Sequence, residues 1–417
     1  MNVKVKNIPD WNLIHISSLI GFIVFLNYFL WSIHSYNFFL YLNFSGLLVL
    51  ILYFLINRNF KKYNVVRIFF ITLLVLSLGS ATLDWDARSV WIFHAKRIFF
   101  DNNLYSGFDN YMPELMNAYP ILPASLSATL AKIVGHWNEI FPKSTNVVIL
   151  LPALLIQCSL LKNYKLVSLW LMFILLFSGR ILINGLMDGL VAMYFISFSV
   201  IVFILFFEKN FNFKKSKNNR FFLIMSGIFL GMILTLLKNE GFVLIFLIFI
   251  TTIFLKVLEK IKFKFEDLIF WAIIFIPIII WKALALYNGI QPRIMGFGFE
   301  NAMYSQNLFE RIFFRLSELK TYELIFSNLL INEKLIISLM IFTYCFIKMF
   351  KKNKLLFIFI ISNVILYYIL LYFIYLSTPH DLAWHLNSSH RVLITIILAL
   401  TFFSIYIFQK KKEKFIK

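Results

Sequence analysis

The chain has 417 residues, 61% of them hydrophobic, with 51 Phe and a mean hydropathy of +0.82. Apolar runs of about 20 residues recur along it, which excludes a soluble globular protein and marks a polytopic, all-α membrane protein. The formal net charge of +20 would suit nucleic acid, but the Lys and Arg sit in short clusters between apolar runs. That is the signature of cytoplasmic loops, so membrane lipids and not nucleic acid are the expected partner.

Taken in chain order, the apolar runs predict twelve spanning helices at roughly 13–33, 38–56, 65–81, 146–161, 166–183, 187–207, 221–237, 241–256, 267–286, 335–349, 355–376 and 391–408. The first lacks the short core and small-residue cleavage site of a removable signal, so it is expected to stay as a helix. Cys158 and Cys345 both lie inside apolar runs, which argues against a disulfide framework. The whole chain, 1–417, reads as one transmembrane domain.

Charge orients this arrangement. With both termini cytoplasmic, the inner segments carry 26 of the 40 Lys and Arg and 6 of the 20 acids. The main inner clusters are Arg58/Lys61/Lys62, Lys214/Lys215/Lys217/Arg220, Lys260/Lys262/Lys264, Lys351/Lys352/Lys354 and Lys410/Lys411/Lys412. The outer side is then neutral overall, as the positive-inside rule requires.

Two outer segments exceed a turn. The first, 82–145, has Ala87 to Phe100 at helical, amphipathic spacing, suited to the interface plane. Turn signals and Pro113, Pro120 and Pro123 follow, then a short apolar stretch, Leu122 to Val134, that predicts a second interfacial or re-entrant helix. The second, 287–334, opens with Gln291-Pro292-Arg293 and Gly296-Phe297-Gly298. Its later part, Gln306 to Leu319, carries Glu310, Arg311, Arg315 and Glu318 at helical spacing.

Isolated charges at the ends of apolar runs are the candidate functional residues, because an ionisable group at a membrane boundary pairs or faces water. Asp84 and Asp86 open the first long loop. If the backbone is extended there, both carboxylates face one cavity; in a helix they diverge. Such a pair can bind a divalent cation or supply a general base. Arg88 and His94 follow as hydrogen-bonding groups, and Trp85 and Trp91 as aromatic anchors or stacking surfaces. Arg180, Asp188, Lys238 and Glu240 fall at tight outer turns, where helix capping and substrate contact are both open. The last outer loop holds His380, Asp381, His385, His390 and Arg391. A short helix would align Asp381 with His385, and an arginine held at the boundary is a good phosphate ligand. The three histidines match no standard zinc spacing.

A multi-spanning chain with an acidic motif opening its first long outer loop, a Tyr119-Pro120-Ile121-Leu122-Pro123 patch and a late polar loop ending in Arg391 resembles the integral-membrane GT-C glycosyltransferases of bacteria. The resemblance implies a sugar donor linked to polyprenyl phosphate and a glycan, lipid or protein acceptor. It also implies an inner-membrane location with the active site on the extracytoplasmic face, and Asp84 and Asp86 as the catalytic acidic motif. In many members that motif follows the first helix. Here two helices precede the one ending at Asp84, through an added amino-terminal hairpin or a different division of that region. Under this reading Arg391, with Arg180 or Lys238, holds the phosphate while Asp84 or Asp86 deprotonates the acceptor. Two alternatives stay open: an O-antigen ligase or polymerase, which would lean on Arg293, Arg311 and Arg315, and a flippase or transporter for lipid-linked sugars.

Overall fold

The computed structural model describes residues 9–412 except 83, 110, 112–115, 162, 209–216, 291–307 and 379–380. Arg293 and its flanking turns, Pro113, Lys214, Lys215 and His380 therefore lie outside the described residues. Among the described residues every regular element is helical.

In chain order the helices are α1 (Trp11–Ser32), α2 (Asn37–Ile56), α3 (Asn64–Gly79), α4 (Phe93–Asp101), α5 (Leu122–Val134), α6 (Thr145–Leu160) and α7 (Tyr164–Ile183). After them come α8 (Asp188–Phe207), α9 (Lys217–Leu237), α10 (Asn239–Leu258), α11 (Phe265–Tyr287), α12 (Leu308–Ser317) and α13 (Leu319–Leu330). The chain ends with α14 (Glu333–Ser377), α15 (Leu382–Leu386), α16 (Ser389–Val392) and α17 (Ile394–Lys412).

Ten helices among the described residues are long and apolar enough to cross a membrane. The 45-residue α14 counts once in that number but bends at Asn353, where φ/ψ is −129°/31°. The rings of Phe342 and Phe357 are 5.5 Å apart across the bend, so the chain doubles back and forms the two separate spans expected at 335–349 and 355–376. The expected third span is the 16-residue α3, shorter than the usual crossing length.

The bundle is built around α6, α8 and α17. Every residue of α6 is buried, as are nearly all of α8. Helix α8 packs on α6, α9 and α17, while α17 packs on α7 and α14. Several buried polar groups in this centre are paired, as a medium without water favours. Gln157 donates to Met193 O (2.8 Å) and Ser197 Oγ (2.9 Å) and accepts from the Trp170 indole (2.9 Å), which joins α6, α7 and α8.

The two ends of the bundle differ. At one end, Asp10 N–H donates to Ser159 O, Tyr63 donates to Asp10 Oδ2, Gln409 donates to Leu160 O, and Lys256 pairs with Asp267. The described lysine clusters following α2, α10 and the first half of α14 fall at this end. The opposite end gathers the loop 82–145 and the ends of α7, α9 and α14.

In that loop the chain forms a π-helical turn, Ala87–Ile92, running into α4. Helix α5 occupies the expected stretch, started by Pro123 in its first turn and ended by Gly135 at φ +85°. It is buried against α1, where the Trp31 indole donates to Thr129 (2.8 Å) and Thr129 donates to Asn27 (2.9 Å).

Helix α12 has the opposite polarity to a soluble amphipathic helix. Phe309 and Phe313 are exposed, whereas Arg311 and Arg315 are buried. Arg315 donates to the carbonyls of Tyr375, Leu376 and Thr378, and Arg311 to Ser377. Two arginines thus satisfy the orphan carbonyls at the end of α14, where the helix dipole favours positive charge.

Candidate functional site

A cavity of about 850 Å³ opens at the acid-bearing end of the bundle. Its walls include Asp84, Trp85, Asp86, Val90, Trp91 and Tyr119 from the first long loop, and Asp188, Lys238 and Glu240 from the helix turns. Leu371, Ile374 and Tyr375 of α14 form an apolar side, and the last loop adds Asp381, Trp384, His385, Asn387, Ser388, His390 and Arg391.

The first loop is fixed where it leaves α3. Ser80 Oγ donates to Ile183 O (3.3 Å), Thr82 Oγ1 donates to Glu139 O (2.9 Å), and the buried Lys143 ammonium donates to Ser80 O. Asp84 is then held by the Asn184 amide at 2.8 Å. Asn184 reaches it because Gly185 turns at φ +88°, a conformation suited to glycine, with Ala87 packed against its Cα.

Asp86 lies in helical backbone (φ/ψ −58°/−40°), not the extended form that would align it with Asp84. Its carboxylate pairs with the Arg391 guanidinium at 2.7 Å. The two acids line one cavity yet take separate partners, one a neutral amide and one a cation. Among the described residues no group of three or more His, Cys, Asp and Glu is placed to hold a metal ion. The cation reading of Asp84 and Asp86 therefore rests on at most these two carboxylates.

Asp188 begins α8, and Glu240 lies in the first turn of α10, so both carboxylates meet the positive end of a helix dipole. Lys238, in extended backbone between α9 and α10, bridges them at 3.0 Å to each. Capping position and cavity lining coincide here. The turn is tight because Gly241 has no Cβ, which would collide with the Leu234 carbonyl oxygen. Glu240 Oε2 is buried and has no hydrogen-bond partner.

In the last loop Asp381 caps α15, accepting from Trp384 N–H at 2.8 Å, and the helix carries His385 edge-on to the Tyr375 ring at 5.1 Å. The short helix expected here forms as Leu382–Leu386, with Asp381 as its cap. His390 Nδ1 meets Asn387 O at 2.8 Å.

The cavity walls do not include Arg88, His94 or Arg180. Arg88 and Arg180 are exposed, and His94 is buried beneath Gly107. Arg311 and Arg315 are likewise engaged at the end of α14. Sequence reasoning gave no site role to Asn184 or Lys282 and named Tyr119 only within the Tyr-Pro patch. The Lys282 ammonium donates to Ala118 O (2.7 Å) and Asn239 Oδ1 (2.6 Å), tying the Tyr119 segment to the start of α10. Its signal was available, as a lone lysine inside an apolar run. Tyr119 stacks on Trp91 at 5.8 Å. Burial pushes its phenol well above the usual range, so it stays a neutral hydrogen-bond donor.

Comparison with family models, curated proteins and solved structures returned no match.

Proposed function

We propose that the protein is a membrane glycosyltransferase. In this reading it moves a sugar from a polyprenyl-phosphate donor to an acceptor at the acid-bearing end of the bundle. One observation carries the proposal: a single cavity combines a carboxylate held by a neutral amide, Asp84, with two cations, Lys238 and Arg391.

Glycosyl transfer from a lipid phosphate needs those parts. Asp84 takes the proton of the acceptor hydroxyl, whose oxygen attacks the anomeric carbon with inversion. The bond from that carbon to the phosphate oxygen breaks, and the polyprenyl phosphate leaves with the electron pair. Negative charge grows on the leaving group, and Arg391 and Lys238 stabilise it. Asp86 engages one nitrogen of Arg391 and orients the guanidinium, and a guanidinium has further N–H groups with which to hold the donor phosphate. The apolar wall of Leu371 and Ile374 suits the first units of a prenyl chain.

The lysine-rich opposite end supports a cytoplasmic position for both termini in a bacterial inner membrane, with the site on the extracytoplasmic face. The two arginines that a ligase or polymerase would use and that the structure describes, Arg311 and Arg315, are spent on the end of α14, which favours the first reading.

The test is a vesicle-reconstituted assay with radiolabelled polyprenyl-phosphate monosaccharides. Label should pass from the lipid fraction to a polar product, and Arg391→Met should raise the donor KM at least tenfold. Label crossing the bilayer on an intact lipid would instead identify a flippase.

A further inference from the structure

We infer that the acceptor is a saccharide whose rings stack on Trp85 and Trp384; this rests on the glycosyl-transfer reading and names its second substrate.

Both indoles line the cavity, one from the first long loop and one from the last. Trp85 is 48% exposed and Trp384 63%, whereas Trp91 is 4% exposed and stacked on Tyr119. An exposed indole at a membrane boundary can serve as an anchor alone. These two have neighbours of another kind. Trp85 stands between Asp84 and Asp86, and Trp384 lies beside Asp381, His385 and Asn387, all on the cavity wall. A flat apolar face edged by hydrogen-bonding groups matches a sugar ring, with apolar C–H faces and a rim of hydroxyls.

The donor–acceptor balance points the same way. Five carboxylates line the cavity against the two cations Lys238 and Arg391. Ionised carboxylates only accept hydrogen bonds, so the walls hold a surplus of acceptors. A ligand rich in donors satisfies that surplus, and a polyhydroxylated saccharide is such a ligand. A lipid acceptor with one hydroxyl is not.

The experiment uses the full-length protein in lipid nanodiscs, with maltotriose, chitotriose and mannotriose as probes. Tryptophan emission should change saturably with at least one of them. Trp85→Ala and Trp384→Ala should each weaken that binding about tenfold, while the Phe variants should keep most of it. In a transfer assay the same Ala variants should raise the acceptor KM about tenfold and leave kcat within about threefold, a split that a purely structural anchor would not give. Saccharide binding that survives both Ala variants, or no binding of any probe, overturns the inference. Transfer that proceeds only to a lipid or peptide also overturns it, while leaving glycosyl transfer intact. Trp-dependent binding without any transfer keeps the saccharide site and removes the transfer reading.

Discussion

Asp86, in the first long loop, and Arg391, at the entrance to the last apolar helix, meet at 2.7 Å and tie the two polar ends of the chain across one cavity. The pair is partly buried, with side-chain exposures of 28% and 19%, so it is more strongly coupled than a surface ion pair. Arg391→Lys removes the planar fork and should lower transfer by about tenfold or more, since a point charge cannot hold a carboxylate and a phosphate together. Asp86→Asn should lower transfer in the wild-type background and have little further effect beside Arg391→Met. A double-mutant cycle on kcat/KM checks this, and strict additivity would show that the pair does not act as a unit.

The Asp188–Lys238–Glu240 triad should dominate stability at this end of the bundle. Lys238→Met strands two carboxylates in a buried site and should destabilise by about 3–5 kcal/mol. Glu240→Gln should cost much less, because Oε1 keeps an acceptor toward Lys238 and Oε2 has no partner to lose. Unfolding in a mild detergent, followed by circular dichroism, ranks the variants. The triple change Asp188→Asn, Lys238→Met, Glu240→Gln should be more stable than Lys238→Met alone.

Gly241→Ala places a methyl group against the Leu234 carbonyl oxygen, an atom of the helix backbone that cannot swing aside. The α9–α10 turn must open, which moves Lys238 and Glu240 off Asp188. Loss of folded protein or a drop of several kcal/mol is expected. Gly46→Ala, whose Cβ would make ordinary contact with Ile23 at 3.6 Å, is the control and should stay near wild type. Size-exclusion profiles and melting temperatures distinguish the two outcomes.

Acid should loosen the first loop in one place. Arg97 grips Asp109 at 2.8 Å and Asp101 at 3.1 Å, and its hydrogen bonds hold the Asp109 carboxyl below the usual carboxylate range. A depressed native value means the stabilisation is complete above the ordinary value near 3.8 and fades as pH falls through the lower native one. Protection factors of the amides around 101–109, taken relative to the unfolded chain at the same pH, should therefore fall below about pH 4. Arg97→Ala should remove that pH dependence. Asp109 is about half exposed, so the effect on global stability should be small.

Much of this architecture was legible in the sequence because hydrocarbon tolerates so little. Every charge at the end of an apolar run had to pair or face water, so Asp84, Asp86, Asp188, Lys238, Glu240 and Arg391 could be collected before any partner was known. Partners themselves were not legible. Whether Asp84 meets a cation or an amide depends on the rotation of α7 and the turn at Gly185, which no local pattern encodes. Arg180, one helical turn before Asn184, lands on the exposed side and stays out of the cavity. Arg311 and Arg315 stand at helical spacing in an outer segment, where a ligase or polymerase would use them. Their real partners are carbonyls of α14, distant in the chain and invisible to helical spacing. Lys282 is legible as a lone lysine in an apolar run, but its partners, Ala118 O and Asn239, are not.

In the proposed reaction Asp84 removes the proton from the acceptor hydroxyl. The direct measurement is single-turnover transfer from a radiolabelled polyprenyl-phosphate sugar by wild type and Asp84→Asn, with donor binding measured in parallel. Asp84→Asn should lose at least about a hundredfold in rate with donor affinity within about threefold of wild type. Full transfer by Asp84→Asn, with the donor still bound, would contradict it.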